Sequence, residues 1–237
     1  MPDLFHLKRY PELLTLFGED AEQDPQKRSL ADLAHDRILL KIVRGELPGG
    51  TELKSTRLAA QLDMSRTPIV KALARLTANG IVHQSLNLRA TVRPGAEDWL
   101  IDIHRMRQLL EPEAVRSSCG AIPAAVLDDL VLLGRDAKPS KEREWQTTAR
   151  WFDQSMHLTI AEFCGNLSLR QVLRNCWTYK RISYEVGQDS DDDLRRGFAQ
   201  HAEILQALRT GDANEAARLM AQHLDAFAPK TPGQRIV

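Results

Sequence analysis

No run of about eighteen apolar residues occurs in the 237-residue sequence, so no segment is expected to cross a bilayer. The opening stretch, MPDLFHLKRYPELL, mixes charges and prolines and has no continuous apolar region, which predicts no secretory signal. Cysteine is scarce. Cys119, Cys164 and Cys176 are odd in number and widely spaced, which excludes a disulfide frame and fits reduced thiols in a cytoplasmic protein. There is no internal repeat, no low-complexity tract and no His-Glu-x-x-His metalloprotease motif. Net charge is also lacking: 32 basic and 32 acidic side chains cancel. An apolar content of 43% is enough for a packed core in one large or two modest domains.

The charge that cancels overall is unevenly placed. Residues 30–95 hold ten Lys/Arg and five Asp/Glu, an excess of five, so the rest of the chain is equally negative. A polyanion senses the local excess, although a solvated surface would carry it as well.

The punctuation divides the chain into four parts. Residues 1–29 are a polar extension and linker with one apolar patch, Leu13, Leu14, Leu16 and Phe17, open to two readings: a short docking helix or a loosely ordered arm. Residues 30–95 read as helix 30–44, a turn at Leu47-Pro48-Gly49-Gly50, helices 56–62 and 65–79, and short β segments at 81–84 and 90–92 around a wing at 85–89. From 96 to 228 the pattern is helical: 97–118, 124–136, 142–164, 167–186, 194–210 and 213–227, separated by Pro123, Pro139, Gly165-Asn166, Gly187 and Gly211. Residues 229–237 are a tail. The expected fold is mainly α: an N-terminal winged helix-turn-helix followed by an all-α antiparallel helical bundle.

Within 58–80 the chemistry of a DNA reader is present. Ala59 and Ala60 are small enough for two helices to cross, and Asp63 sits where the turn needs a positive φ. Ser65 is placed to cap the second helix, and Pro68 falls in its first turn, where a missing N–H costs little. Ile69 and Leu73 face inward together. Arg66 and Thr67 then stand at the end that enters the major groove in this motif class, with Lys71 and Arg75 along one face. Arg can grip guanine bidentately, and Thr can touch a thymine methyl or a phosphate. A helical hairpin with a basic surface would also fit; the wing, flanked by Arg89 and Arg93, favours the DNA reader.

Residues 30–93 resemble the GntR-type winged helix-turn-helix. The matching runs are Ile42-Val43-Arg44-Gly45-Glu46-Leu47-Pro48-Gly49, Leu58-Ala59, and Ser65-Arg66-Thr67-Pro68 with Ala72-Leu73 and Leu76. The resemblance implies a transcription regulator that binds a palindromic operator as a homodimer, with Arg57, Ser65, Arg66, Thr67, Lys71, Arg75 and Arg89 at the DNA. Val70 and Lys71 stand where the family usually has Arg and Glu, Thr56 replaces a usual basic residue, and Arg89 replaces a wing-tip Gly. The family's operator sequence therefore does not carry over.

Downstream, four polar side chains lie on otherwise apolar faces. Asp153 and His157 are four apart on a face continued by Ile160, Ala161 and Cys164. His201 shares a stripe with Ile204, Leu205 and Leu208, and His223 with Leu219, Met220 and Phe227. Asp212 can cap the last helix, with Glu215 completing a capping box. His201 and His223 each lie about 15–17 Å from the intervening bend, level with one another in an antiparallel hairpin. Three imidazoles and a carboxylate suit Zn²⁺ or another divalent transition metal, with Ni and Mn as alternatives; unrelated core histidines fit the same pattern.

Residues 96–228 resemble the all-α FCD-type ligand-binding domain of the FadR branch of GntR regulators. Asp153/His157, Gly165-Asn166, His201 and His223 match its signatures. This implies a metal on those four ligands and a small acidic effector beside it. Arg107 matches an arginine that lines the family's pocket, and Asn166 is the other implied effector contact. From the residues alone, Arg107 equally fits a surface pair with Glu111, and Asn166 a helix boundary. Arg105 stands at a position often acidic in the family, which predicts a more basic pocket. Trp177, Tyr179 and Tyr184 fit either the pocket or the core. The function so implied is a repressor tuned by a carboxylate metabolite. Two alternatives remain open: a pure metal sensor, and a metal-dependent hydrolase with Glu162 or Glu203 as base.

Overall fold

The computed structural model describes residues 9–21, 29–84, 89–141, 144–185 and 190–228, without the side chains of 17–21, 144 and 185. The wing tip at 85–88, the tail at 229–237 and the Phe17 side chain lie outside the described residues. The elements run α1 (Pro11–Ala21), α2 (Leu30–Val43), β1 (Glu52–Leu53), α3 (Ser55–Leu62), α4 (Arg66–Ala78), β2 (Val82–His83), β3 (Ala90–Val92), a 3₁₀ turn (Ala96–Asp98), α5 (Trp99–Ser118), α6 (Ala124–Asp136), α7 (Glu144–Phe163), α8 (Leu167–Glu185), α9 (Asp191–Thr210) and α10 (Ala213–Ala226). They form two compact units, one drawn from 1–23 and 103–229 and the other from 24–102.

In the smaller unit α2 and α3 both pack on α4. Ile38, Leu39 and Ile42 of α2 are buried, as are Ile69, Leu73 and Leu76 of α4. The turn between α3 and α4 places Asp63 at φ 52°, the left-handed region expected there. Pro68 is the third residue of α4, where no intrahelical donor is lost. The sheet has the order β1-β3-β2, all antiparallel, with Leu53 opposite Ala90 and Val82 opposite Val92. The third strand, β1, was not expected from the sequence. Two residues are too short to show a period of two.

The larger unit is a bundle of α5–α10 with α1 added to it. Leu130, Phe152, Met156, Ile160, Ile204 and Met220 are at most 1% exposed and form its core. Asp212 caps α10 through the Glu215 N–H at 3.0 Å, but the Glu215 carboxylate does not complete a capping box. It makes a two-pronged pair with Arg218 instead, at 2.5 and 2.7 Å. The reciprocal box occurs at α9, between Ser190 and Asp193.

The expected linker at 18–29 begins later than the sequence suggested, because α1 continues to Ala21. Tyr10 and Leu13 are 1% and 0% exposed within the bundle core. Burying each stabilises by about 2–3 kcal/mol. That decides the outcome, since an isolated 11-residue helix is marginal in water.

Candidate functional site

The reading surface of the smaller unit is set by the start of α4. Ser65, Arg66, Thr67, Lys71 and Arg75 are all exposed, and the last three follow at four-residue spacing along one face. Ser65 occupies the cap position without using its hydroxyl as the cap, so the oxygen faces outward. Arg57 is exposed on α3. Two of the seven expected DNA contacts have acidic partners within the unit: Arg75 pairs with Asp32 of α2, and Arg89 with Glu52 of β1 at 2.6 Å. Exposed pairs of this kind are weak enough for a phosphate to displace the carboxylate.

In the bundle, α7 supplies Asp153 and His157, α9 supplies His201, and α10 supplies His223. One ligand atom from each lies within 4.8 Å of all the others. His157 Nε2 is 3.2 Å from His201 Nε2, which is 3.1 Å from His223 Nε2. Asp153 Oδ1 stands 3.3 Å from the first and 3.2 Å from the second. The three rings are buried. An ion bound at about 2.0–2.1 Å sets neighbouring donors about 3.3 Å apart in a tetrahedron and about 2.9 Å apart in an octahedron. Four of the six donor pairs, at 3.1–3.3 Å, fall in that range.

A second layer orients the first. His157 Nδ1–H donates to Glu111, and His223 Nδ1–H donates to Gln200 Oε1 at 3.0 Å. Both Nε2 atoms therefore turn lone pairs toward each other, His201 and the Asp153 carboxylate. Lone pairs gathered this way repel unless a cation joins them, so the donor set fits a metal. The Tyr184 hydroxyl donates to Asp153 Oδ2. Glu111 also accepts from Arg107 Nε at 2.6 Å and from Trp177 Nε1 at 3.2 Å. The Arg107 guanidinium lies over the Trp177 ring, 4.3 Å from its centre.

The titration of these groups follows from burial and charge. Burial pushes the Asp153 carboxyl up, but the adjoining His157 and His201 rings outweigh it and hold the group well below its ordinary range. Burial likewise opposes ionisation of Glu111, and the charges of Arg107 and His157 reverse this, bringing it to about 2. Burial disfavours the His157 cation, yet Glu111 raises that ring's pKa overall. For His201 burial prevails and lowers it; for His223 burial and the neighbouring rings lower it strongly. Two of the rings thus favour the neutral form that a metal requires.

A cavity of roughly 500 Å³, its open mouth included, is lined by Asp153, His201 and His223. His104, Arg107, Lys180, Tyr184, Phe198 and Phe227 are among its other lining residues. His104 donates Nε2–H to the Leu224 carbonyl at 2.8 Å.

Residues 102–226 match the FCD domain family, and residues 30–86 match the family described as bacterial regulatory proteins, gntR family. The chain belongs to the GntR family. This GntR regulator is 30% identical over 230 residues to "Uncharacterized HTH-type transcriptional regulator BphR" of Paraburkholderia xenovorans (strain LB400), covering 92% of the chain and 94% of the relative. It is 25% identical over 208 residues to the "Probable D-xylose utilization operon transcriptional repressor" of Paenarthrobacter nicotinovorans, covering 86% and 90%. Among solved structures it resembles E. coli McbR/YncC in fold, with a TM-score of 0.56 at 21% identity, covering 84% of this chain and 95% of that one. The family and these relatives are transcription regulators, not enzymes, which sets the hydrolase reading aside. Glu162 is tied to Arg170 and Arg174 at 2.5 and 3.1 Å, and Glu203 is exposed and does not line the cavity.

The two implied effector contacts of the GntR regulator fare differently. Arg107 lines the cavity, but it is also the Glu111 partner, and that pair is buried and not on the surface. Asn166 is exposed, accepts the Leu169 N–H at 3.0 Å at the start of α8, and is not a lining residue. Its position is that of a helix boundary. Arg105 is exposed and does not line the cavity either, so the added basicity expected from it does not reach there. Tyr184 lines the cavity; Trp177 sits behind Arg107 and His157, and Tyr179 is core. Sequence reasoning missed Gln200, His104 and Lys180. His104 and Arg107, three apart on one helix, carry the only local hint.

Proposed function

We propose that this GntR regulator is a metabolite-responsive repressor that binds a palindromic operator as a cytoplasmic homodimer. The α4 helix, with Ser65, Arg66, Thr67 and Lys71 foremost, reads the major groove, while Arg57, Arg75 and Arg89 reach phosphates. A divalent transition metal, Zn²⁺ by its donor set and Ni or Mn as alternatives, is held by Asp153, His157, His201 and His223. When bound, the ion supplies positive charge and open positions to the oxygens of a small carboxylic acid. The observation that carries this reading is the convergence of four ligand atoms whose rings are already oriented by Glu111 and Gln200.

Residues of the chain do the rest. Arg107 presents the part of its guanidinium not bonded to Glu111 to the cavity wall, and Tyr184 fixes the Asp153 carboxylate. Occupation of the cavity shifts α9 and α10 and changes the spacing of the two recognition helices in the dimer. The cavity favours a metabolite over a pure metal sensor, which would need no space beside the ion.

The test has two parts. Metal content of the purified protein is measured for wild type and for the His201→Ala/His223→Ala double variant; one equivalent is expected, then none. Gel shifts on the protein's own upstream DNA are then titrated with small carboxylic acids. Retention of metal by the double variant would overturn the metal centre. An acid that binds the protein and leaves DNA affinity unchanged would overturn the switch.

A further inference from the structure

Glycine weakens a helix interior relative to alanine, so a glycine there calls for a local reason. Within α5–α10 it stands at Gly134 of α6 and at Gly197 of α9. At Gly134 the reason is packing: an added Cβ would meet the Phe152 ring at 3.2 Å. Packing gives no such reason at Gly197, where an added Cβ would meet the edge of the Phe227 ring at 3.5 Å, an ordinary contact distance. Gly197 is buried, and it lines the cavity beside Asp153, His201 and His223.

The surroundings of Gly197 are apolar. Asp193, Gly197 and His201 follow at four-residue spacing along the lining face of α9, with Leu194 and Phe198 beside them. Gly197 is therefore one turn, about 6 Å along the axis, from the proposed ligand His201. Phe227 stands at the same level. Its ring lies 5.1 Å from that of His223 between centres, and the Arg196 guanidinium lies over it at 4.8 Å. Polar groups of the lining are already engaged within the chain. His104 donates to the Leu224 carbonyl, and the Tyr184 hydroxyl donates to Asp153. Asp193 accepts from the Ser190 N–H and hydroxyl and pairs with Arg196 at 2.7 Å. The hydroxyls of a polyol acid seated here would exchange water for phenyl and alkyl groups, a loss for each one left without a partner. A hydrocarbon body would gain by the same transfer.

We infer that Gly197 is a specificity-determining residue: its missing side chain keeps open an apolar slot one turn from the proposed metal site, and the effector is a carboxylic acid whose body is hydrocarbon and not hydroxylated. The inference deepens the proposed function and rests on its carboxylate-binding site. A glycine without this role would leave the choice among acids unchanged when replaced.

The experiment titrates the full chain, loaded with Zn²⁺, with three probes in a calorimeter: phenylacetate, gluconate and acetate. The wild type is expected to bind phenylacetate at least about tenfold more tightly than either of the others. Gly197→Ala is expected to cut the preference for phenylacetate over acetate at least about fivefold, because the added methyl overfills the slot, and Gly197→Leu to abolish it. The melting temperature of metal-free Gly197→Ala is expected to match or exceed that of the wild type, since alanine favours the helix. Gluconate bound as tightly as phenylacetate overturns the hydrocarbon class and leaves the carboxylate site standing. An unchanged preference in both variants overturns the slot. A lower melting temperature in Gly197→Ala shows that packing requires the glycine and overturns the slot as well. Failure of all three acids to bind the zinc-loaded wild type overturns the carboxylate site and the slot with it.

Discussion

Glu111 satisfies three buried donors at once: the guanidinium of Arg107, the indole of Trp177 and the imidazole of His157. Through the last of these it sets which ring nitrogen faces the proposed metal site. Glu111→Gln keeps the shape and an acceptor but loses the charge, and metal affinity is expected to drop about 10–100-fold in a chelator competition. Unchanged affinity would show that the contact does not orient the ring. Sequence spacing placed Arg107 and Glu111 together but on the surface, because no periodicity reveals which face of α5 a bundle will cover. The convergence of Asp153, His157, His201 and His223 was legible, since polar residues on apolar stripes at helical spacing must find partners. His104 gives a pH test. Burial, reinforced by the Arg107 charge, lowers its pKa from 6.5 to about 4. The unfolded chain then binds this proton more readily between those values. Stability is full above pH 6.5 and is lost as pH falls toward 4, on the order of 3 kcal/mol for this group. Urea unfolding at several pH values should show a smaller loss in His104→Gln than in wild type.

At the scale of elements, two helices ended where glycine said they would, at Gly165 and Gly211, each with positive φ. The start of α9 was less visible. Asp191-Asp192-Asp193 has no apolar period, and only the Ser190–Asp193 cap marks the helix as beginning there and not at 194. The turn of the DNA reader depends on Asp63 at φ 52°, a conformation that glycine adopts freely and β-branched residues resist. Asp63→Gly is expected to keep or raise stability by up to about 1 kcal/mol, and Asp63→Val to lower it by about 1–2 kcal/mol. Thermal melts of the two variants check the order. If valine were tolerated as well as glycine, the turn would not be under this constraint. α1 was legible as an apolar patch open to two readings, a docking helix or a loose arm, because its stability comes from Asp129, Asp136 and a core contributed by residues more than a hundred positions away.

Taken whole, the molecule places its basic excess in the DNA-reading part, although the full chain is neutral. Operator affinity should therefore fall steeply with salt, with a log–log slope of about −0.9 per phosphate neutralised. Filter binding between low and physiological salt measures it, and a flat response would contradict groove binding. Glu52→Gln releases Arg89 from its ion pair and should tighten binding at low salt by a few fold. The change of pattern near Pro94-Gly95 suggested a division there, whereas the two compact units divide at 102/103. The return of the N-terminal segment to the bundle was not readable, since sequence order gave no reason for it. A last consequence belongs to Trp177. Its ring lies 4.8 Å from that of His157 and 4.3 Å from the Arg107 guanidinium. Whatever arrives at the imidazole nitrogens arrives beside a fluorophore, so the chain's own ultraviolet emission records the event without a label, and Trp177→Phe should silence it.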